Sequence, residues 1–102
     1  MGKYVLAYTG GSMAETKEAQ DAAMQAWMGW FGTLGSAVID GGNPFGASTA
    51  VRANRSTGPV AAGLSGYSVV EADSLQLAAK LAEGCPVLDG GGTVEIYETI
   101  AM

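Results

Sequence analysis

The segment Lys17–Gly35, KEAQDAAMQAWMGWFGTLG, carries the strongest structural signal in this sequence. Its apolar residues recur three or four positions apart, and polar residues occupy the other side, which is the pattern of an amphipathic helix. The apolar stripe comprises Ala19, Ala23, Trp27, Trp30 and Leu34, widened by Met24, Met28 and Phe31. Gly35 is a natural helix end. Because Ser12–Glu15 has capping-box spacing, the helix is predicted to begin there or a few residues later.

Short apolar or alternating runs on either side of this helix predict β-strands. The predicted strands cover residues 3–9, 36–40, 48–53, 67–72 and 93–98. Residues 54–65 are rich in glycine, proline and serine and are predicted to be irregular. A second helix is predicted after an N-cap at Asp73 or Ser74, ending at Gly84. Its predicted buried stripe is Leu75, Ala78, Ala79 and Ala82.

The resulting order is β-α-β-β-β-α-β, or βαββαβ if residues 48–53 extend the second strand or its hairpin. This order is the ferredoxin-like α+β plan, an antiparallel sheet with two helices on one face. A chain of 102 residues is expected to form one domain, residues 1–102. Strand 3–9 is apolar on both faces, and helices on one side cover only one of them. The sequence therefore predicts a homodimer through the other face of the sheet.

Composition narrows the classes of partner. The formal net charge is −5, and the five basic residues are scattered. This balance argues against nucleic acid, which needs a basic face, and against anionic membranes. No apolar stretch approaches the roughly 20 residues of a membrane helix, and the N-terminus does not resemble a signal peptide. A single cysteine makes the reducing cytoplasm the expected compartment.

Several segments together resemble the YCII-related proteins (YciI-like, DGPF-type). They are Tyr4–Tyr8, Ala26–Phe31, Leu34–Gly35, Gly66–Ser74, Gly84–Pro86 and Gly92–Glu98. The resemblance covers nearly the whole chain and implies a ferredoxin-like fold paired into a dimeric α+β barrel. It also implies a cleft, either between the sheet and the helices or at the dimer interface.

The chain departs from the family pattern at two functional points. DGPF-type members carry Asp-Gly-Pro-Phe where this sequence has Thr57-Gly58-Pro59-Val60, so the acid and the aromatic residue are missing. Some YciI-like members are thought to use a histidine–aspartate pair, and this chain contains no histidine. The resemblance therefore implies a fold for this chain, but the histidine–aspartate pair cannot be assigned to it.

Asp40 is the candidate catalytic acid. It ends an apolar strand and opens the glycine-rich loop 41–46, and such strand ends often meet substrates. A partly desolvated aspartate there can act as a general base. The competing interpretation is that Asp40 accepts backbone hydrogen bonds and shapes the turn.

Four further residues are candidates for a ligand pocket. Asn43 and Phe45 can supply an amide and an aromatic wall, although Asn-Pro also suits a turn and Phe45 also suits the edge of the core. Trp30, with Trp27, can stack on a planar ligand, but an aromatic stripe on a helix is more often core. The resemblance places Tyr67 facing a cavity, and the alternative is packing with its hydroxyl bonded to the backbone.

Other reactive or metal-binding patterns are weak. Cys85 has no histidine base and is predicted to be a buried small apolar residue. Neither a metal site nor a phosphate loop fits the residues available, so no cofactor is expected. Two hypotheses remain open at this point. One is a binding or structural homodimer with a small, mostly apolar pocket. The other is a cofactor-free lyase, isomerase or dehalogenase that acts on a small hydroxylated or aromatic compound, with Asp40 as base and Asn43, Tyr67 or Trp30 orienting the ligand.

Overall fold

A computed structural model describes residues 2–10 and 15–101. A four-stranded antiparallel sheet forms its main layer, with strands β1 (Gly2–Thr9), β2 (Val38–Asp40), β5 (Leu64–Ala72) and β6 (Thr93–Glu98). The strands lie in the order β2-β5-β1-β6. The α+β class and the antiparallel sheet predicted from the sequence are confirmed, and the strand order is compatible with a ferredoxin-like fold.

Two helices complete the main layers. Helix α1 spans Lys17–Leu34, and the side chain of its N-cap Thr16 accepts a hydrogen bond from the Ala19 N–H. The helix therefore begins a few residues after Ser12, as the later of the two predicted starts has it, and Ser12 itself lies outside the described residues. Helix α2 spans Leu75–Ala82, and the hydroxyl of its N-cap Ser74 accepts from the Leu77 N–H.

The core lies between the sheet and both helices. Tyr4, Leu6 and Tyr8 alternate along β1 and point toward the helices. The aromatic half of α1 and the small residues of α2 pack on this same face. The Trp30 indole N–H donates to the Leu81 carbonyl oxygen at 3.0 Å, which ties the end of α1 to the end of α2. The two helices therefore share one face of the sheet, as predicted.

The predicted third strand differs most from the structure. Residues 48–53 do not extend the sheet; only β3 (Ala50–Val51) is extended, and it pairs with β4 (Thr57–Gly58) in a separate two-stranded hairpin. Arg55 adopts a positive φ of 71° in the turn between them. Residues 54–65, predicted to be irregular, thus contribute the short strand β4. Their high glycine and serine content favours loops, so the sequence pattern did not indicate this strand.

The buried stripes also differ from the sequence pattern. In α2, Ala78 and Ala82 are buried, but Leu75 and Ala79 are exposed, and Leu81 packs on the core instead. In α1, every residue from Lys17 to Ala26 is exposed. Only the second half of α1 contacts the sheet. The apolar stripe predicted along the first half of the helix is therefore exposed.

The sheet face opposite the helices is largely open. Val69, Val5 and Tyr97 lie side by side across β5, β1 and β6 on this face. The two valines are half-buried and Tyr97 is 55% exposed. The molecule measures 44 × 39 × 19 Å, and its radius of gyration of 14.9 Å exceeds the roughly 13 Å of a compact chain of this length. The chain is therefore a thin slab with apolar residues on its uncovered side.

Candidate functional site

A cleft of about 340 Å³ opens on the helix side of the sheet, between α1 and the loop after β2. Helix α1 contributes Met24, Trp27 and Phe31 to one wall, and the opposite wall is the loop Gly41–Pro44. Tyr8 and residues 65–67 lie beneath them. The cleft forms here because α1 reaches the sheet only at its aromatic second half.

The helix wall is a packed aromatic cluster. Trp27 makes an edge-to-face contact with Tyr8, their ring centroids 5.2 Å apart, and a tilted contact with Phe31 at 5.8 Å. Such contacts hold aromatic rings in fixed orientations. Met24, 64% exposed, lies on the same wall and is the flexible part of it. The cleft therefore has one preformed aromatic wall with an adaptable side chain beside it.

The loop wall depends on glycine. Gly42 has a φ of +73°, and a β-carbon there would lie 1.7 Å from the Tyr67 carbonyl oxygen. Only glycine allows the loop backbone to approach β5 this closely. The loop is joined to β5 by hydrogen bonds from Tyr67 N–H to the Asn43 carbonyl and from Phe45 N–H to the Ser65 carbonyl. At Gly41 and Gly42 this wall is therefore bare backbone, held against the sheet by these hydrogen bonds.

A buried chain of hydroxyl groups supports the cleft from below. The Tyr8 hydroxyl donates to the Ser68 Oγ at 2.7 Å, and that Oγ donates to the Gly41 carbonyl at 2.7 Å. Ser68 is fully buried. Burial raises the pKa of Tyr8 to about 12, so its hydroxyl is protonated near neutral pH and carries no charge. These two hydrogen bonds hold the loop at Gly41 in a fixed position relative to β1 and β5.

Asp40 takes part in the turn rather than the cleft. It is exposed, its Oδ1 accepts the Gly42 N–H at 2.9 Å, and its Oδ2 accepts the Tyr67 hydroxyl at 3.4 Å. It does not line the cleft, although its neighbour Gly41 does. These bonds correspond to the turn-shaping interpretation and give no support to a general base.

The four predicted pocket residues fall into two groups. Asn43 and Tyr67 line the cleft. Trp30 does not line it, because Trp30 is buried between the helices and its N–H is bonded to Leu81. Phe45 also lies elsewhere, with its ring stacked on that of Tyr67 at 5.7 Å. The structure thus brings together only half of the predicted pocket.

The sequence did not single out Phe31, Tyr8 or the glycines of the loop as pocket residues. Phe31 sits four positions after Trp27, so helical spacing could have placed both on one wall. Gly41 and Gly42 carry no side chain, and only the three-dimensional approach of the loop to β5 shows their role. Their contribution was therefore outside the reach of residue-type reasoning.

Reactive groups elsewhere do not add to the site. Cys85 is buried, and burial raises the pKa of its thiol to about 11, so it is not a ready nucleophile. Among residues 2–10 and 15–101, no group of three or more metal-binding side chains gathers. Neither described helix is long and apolar enough to cross a membrane.

Comparisons with known proteins leave the family unassigned. No protein-family model matches the chain, and no curated protein matches it.

Proposed function

We propose that this chain is a YCII-related protein that binds a small molecule in the cleft and works as a homodimer, without a catalytic constellation of its own. The observation that carries the proposal is the cleft itself, an aromatic-walled cavity of about 340 Å³. That volume lies at the lower end of the range of ligand pockets. None of the described residues lining it is an acid, a base, a histidine or a cysteine.

The YCII-related assignment is supported by the sequence segments and by the fold. The strand order β2-β5-β1-β6 agrees with a ferredoxin-like domain. The missing histidine and the Thr57–Val60 departure are consistent with a member that binds rather than catalyses. A cytoplasmic location belongs to the same proposal and rests on the single cysteine.

The homodimer is supported by the open sheet face. Its central row, Val69, Val5 and Tyr97, is apolar, and Lys3 and Glu71 pair next to that row across β1 and β5. A face that carries an apolar centre and charges of both signs can complement itself about a two-fold axis. A second copy is therefore the occupant that we propose for it.

The enzymatic alternative gains no supporting geometry. Its proposed base, Asp40, has one carboxylate oxygen bonded to the backbone of its own loop and the other to Tyr67. The hydroxyls of Tyr8 and Ser65 at the cleft likewise donate to groups of the protein itself, Ser68 and the Tyr8 carbonyl. We therefore propose binding as the function.

A ligand screen by thermal unfolding tests the binding function, because ligands that bind the native state raise the melting temperature. Gly41→Leu places a side chain in the cleft without a backbone clash, since the first added carbon would lie 3.9 Å from the Phe31 ring. Gly46→Leu is the matched control, because an added carbon there meets nothing within 4 Å.

We expect at least one compound class to stabilise the wild type and Gly46→Leu, and to lose its effect on Gly41→Leu. The proposal is wrong if no compound stabilises the wild type. It is also wrong if the binders stabilise Gly41→Leu as well as they stabilise the control.

A further inference from the structure

The cleft differs from most of the molecular surface in charge. The chain has ten acidic and five basic residues, yet the described lining of the cleft contains none of them. A carboxylate or phosphate entering the cleft would lose its hydration and find no cation among these residues. The net charge of −5 would also repel an anion from a distance. A cation would likewise lose its hydration and find no carboxylate in this lining. The ligand that fits is therefore uncharged.

The shape of the cleft selects a flat ligand. One side presents the rings of Trp27 and Phe31, and the other presents the glycine backbone of the loop. Planar peptide groups without side chains and tilted aromatic rings both pack well against a planar ring. The volume of about 340 Å³ suits a compound of one or two rings.

Asn43 supplies the cleft with a polar side chain that can both donate to and accept from a ligand. Within the part of the chain that the structure describes, the Asn43 side-chain amide makes no hydrogen bond, although its backbone carbonyl accepts from Tyr67. The protons of the nearby hydroxyls are already donated, from Tyr8 to Ser68, from Ser65 to the Tyr8 carbonyl and from Tyr67 to Asp40, so these groups can only accept from a ligand. An amide offers both a donor and an acceptor. Asn43 is therefore the group that can orient a ligand.

We propose that the cleft binds an uncharged planar aromatic compound of one or two rings, with a hydroxyl or similar group bonded to the Asn43 side chain. This proposal rests on the binding function proposed above and specifies its ligand class. Trp27 and Phe31 would stack on the ring, and the Gly41–Gly42 backbone would close its other face.

The test compares four probes that differ in one property each. 2-Naphthol is the neutral aromatic reference, naphthalene-2-carboxylate adds charge, decahydro-2-naphthol removes aromaticity, and naphthalene removes the hydroxyl. Dissociation constants are measured by calorimetry and by the change in tryptophan fluorescence. We expect the dissociation constant of 2-naphthol to be at least about tenfold lower than those of the carboxylate and of the saturated alcohol.

Asn43→Ala tests the polar contact, and its exposed position makes the substitution mild for folding. We expect the advantage of 2-naphthol over naphthalene to disappear in this variant, with the affinity for naphthalene unchanged. Asn43→Asp places a carboxylate of nearly the same shape there, and it should retain an acceptor for the hydroxyl.

The outcomes separate this proposal from the binding function. If the carboxylate or the saturated alcohol binds as tightly as 2-naphthol, the proposed ligand class is wrong while the cleft remains a binding site. An undiminished preference for 2-naphthol over naphthalene in Asn43→Ala overturns the role of Asn43. If neither these probes nor any compound of the screen binds, the binding function itself fails.

Discussion

At the residue scale, the role of a side chain depends more on its three-dimensional surroundings than on its position along the chain. Trp27 and Trp30 are three residues apart on one helix, yet Trp27 lines the cleft while Trp30 is buried against Leu81. Asp40 has a carboxylate that could act as a base, but one of its oxygens accepts a hydrogen bond from the Gly42 backbone N–H. Residue type limits the chemistry that a side chain can perform, and its hydrogen-bond partners decide its role.

The buried Tyr8 gives a pH dependence to the fold. Its pKa rises from 10.0 in the unfolded chain to about 12 in the folded protein, because burial disfavours the phenolate. The folded state then holds this proton more tightly, so its stabilising effect is complete below pH 10 and is lost as pH rises toward 12. We expect the free energy of unfolding to fall over this range in urea titrations.

Tyr8→Phe should make that fall shallower above pH 10, since the titrating group is gone. Cys85, whose pKa rises from 9.0 to about 11, adds a loss that begins near pH 9, and its thiolate contributes to the raised pKa of Tyr8. Cys85→Ala should remove the part of the loss that begins near pH 9. An unchanged pH profile in Tyr8→Phe would contradict the buried, protonated hydroxyl.

At the element scale, the sequence predicted both helices and the strands of the main sheet. Those elements have strong periodic patterns or capping residues, such as Ser74 before α2. The β3–β4 hairpin was misplaced because its two-residue strands have too little pattern to read. The loop wall of the cleft was not predicted, because its shape depends on the contact between Gly42 and β5.

That loop gives a direct substitution test. Gly42→Ala forces a side chain toward the Tyr67 carbonyl at a positive φ, and the loop must move or strain. We expect a loss of about 1–3 kcal/mol in the free energy of unfolding, together with weaker binding in the cleft. Gly46→Ala, in open space, should be neutral or slightly stabilising. Equal effects of the two substitutions in denaturant titrations would contradict the close approach of the loop.

At the scale of the whole molecule, the described chain forms two layers with one side uncovered. The sequence anticipated this from β1, which is apolar on both faces, and the structure places Val5 between Val69 and Tyr97. Charge is also unevenly distributed. Residues 41–70 contain two arginines and no acid, whereas the rest contains three lysines and all ten acids.

Static light scattering at micromolar concentration tests the pairing of two such chains most directly. We expect the wild type to have twice the 10.3 kDa mass of one chain. For Tyr97→Lys, which puts a charge on the open sheet face, we expect a shift toward the single-chain mass. Leu77→Lys, an equally drastic change at a 46% exposed position on α2, should leave the double mass intact. A wild-type protein of single-chain mass, or a Tyr97→Lys variant as dimeric as the control, would contradict it.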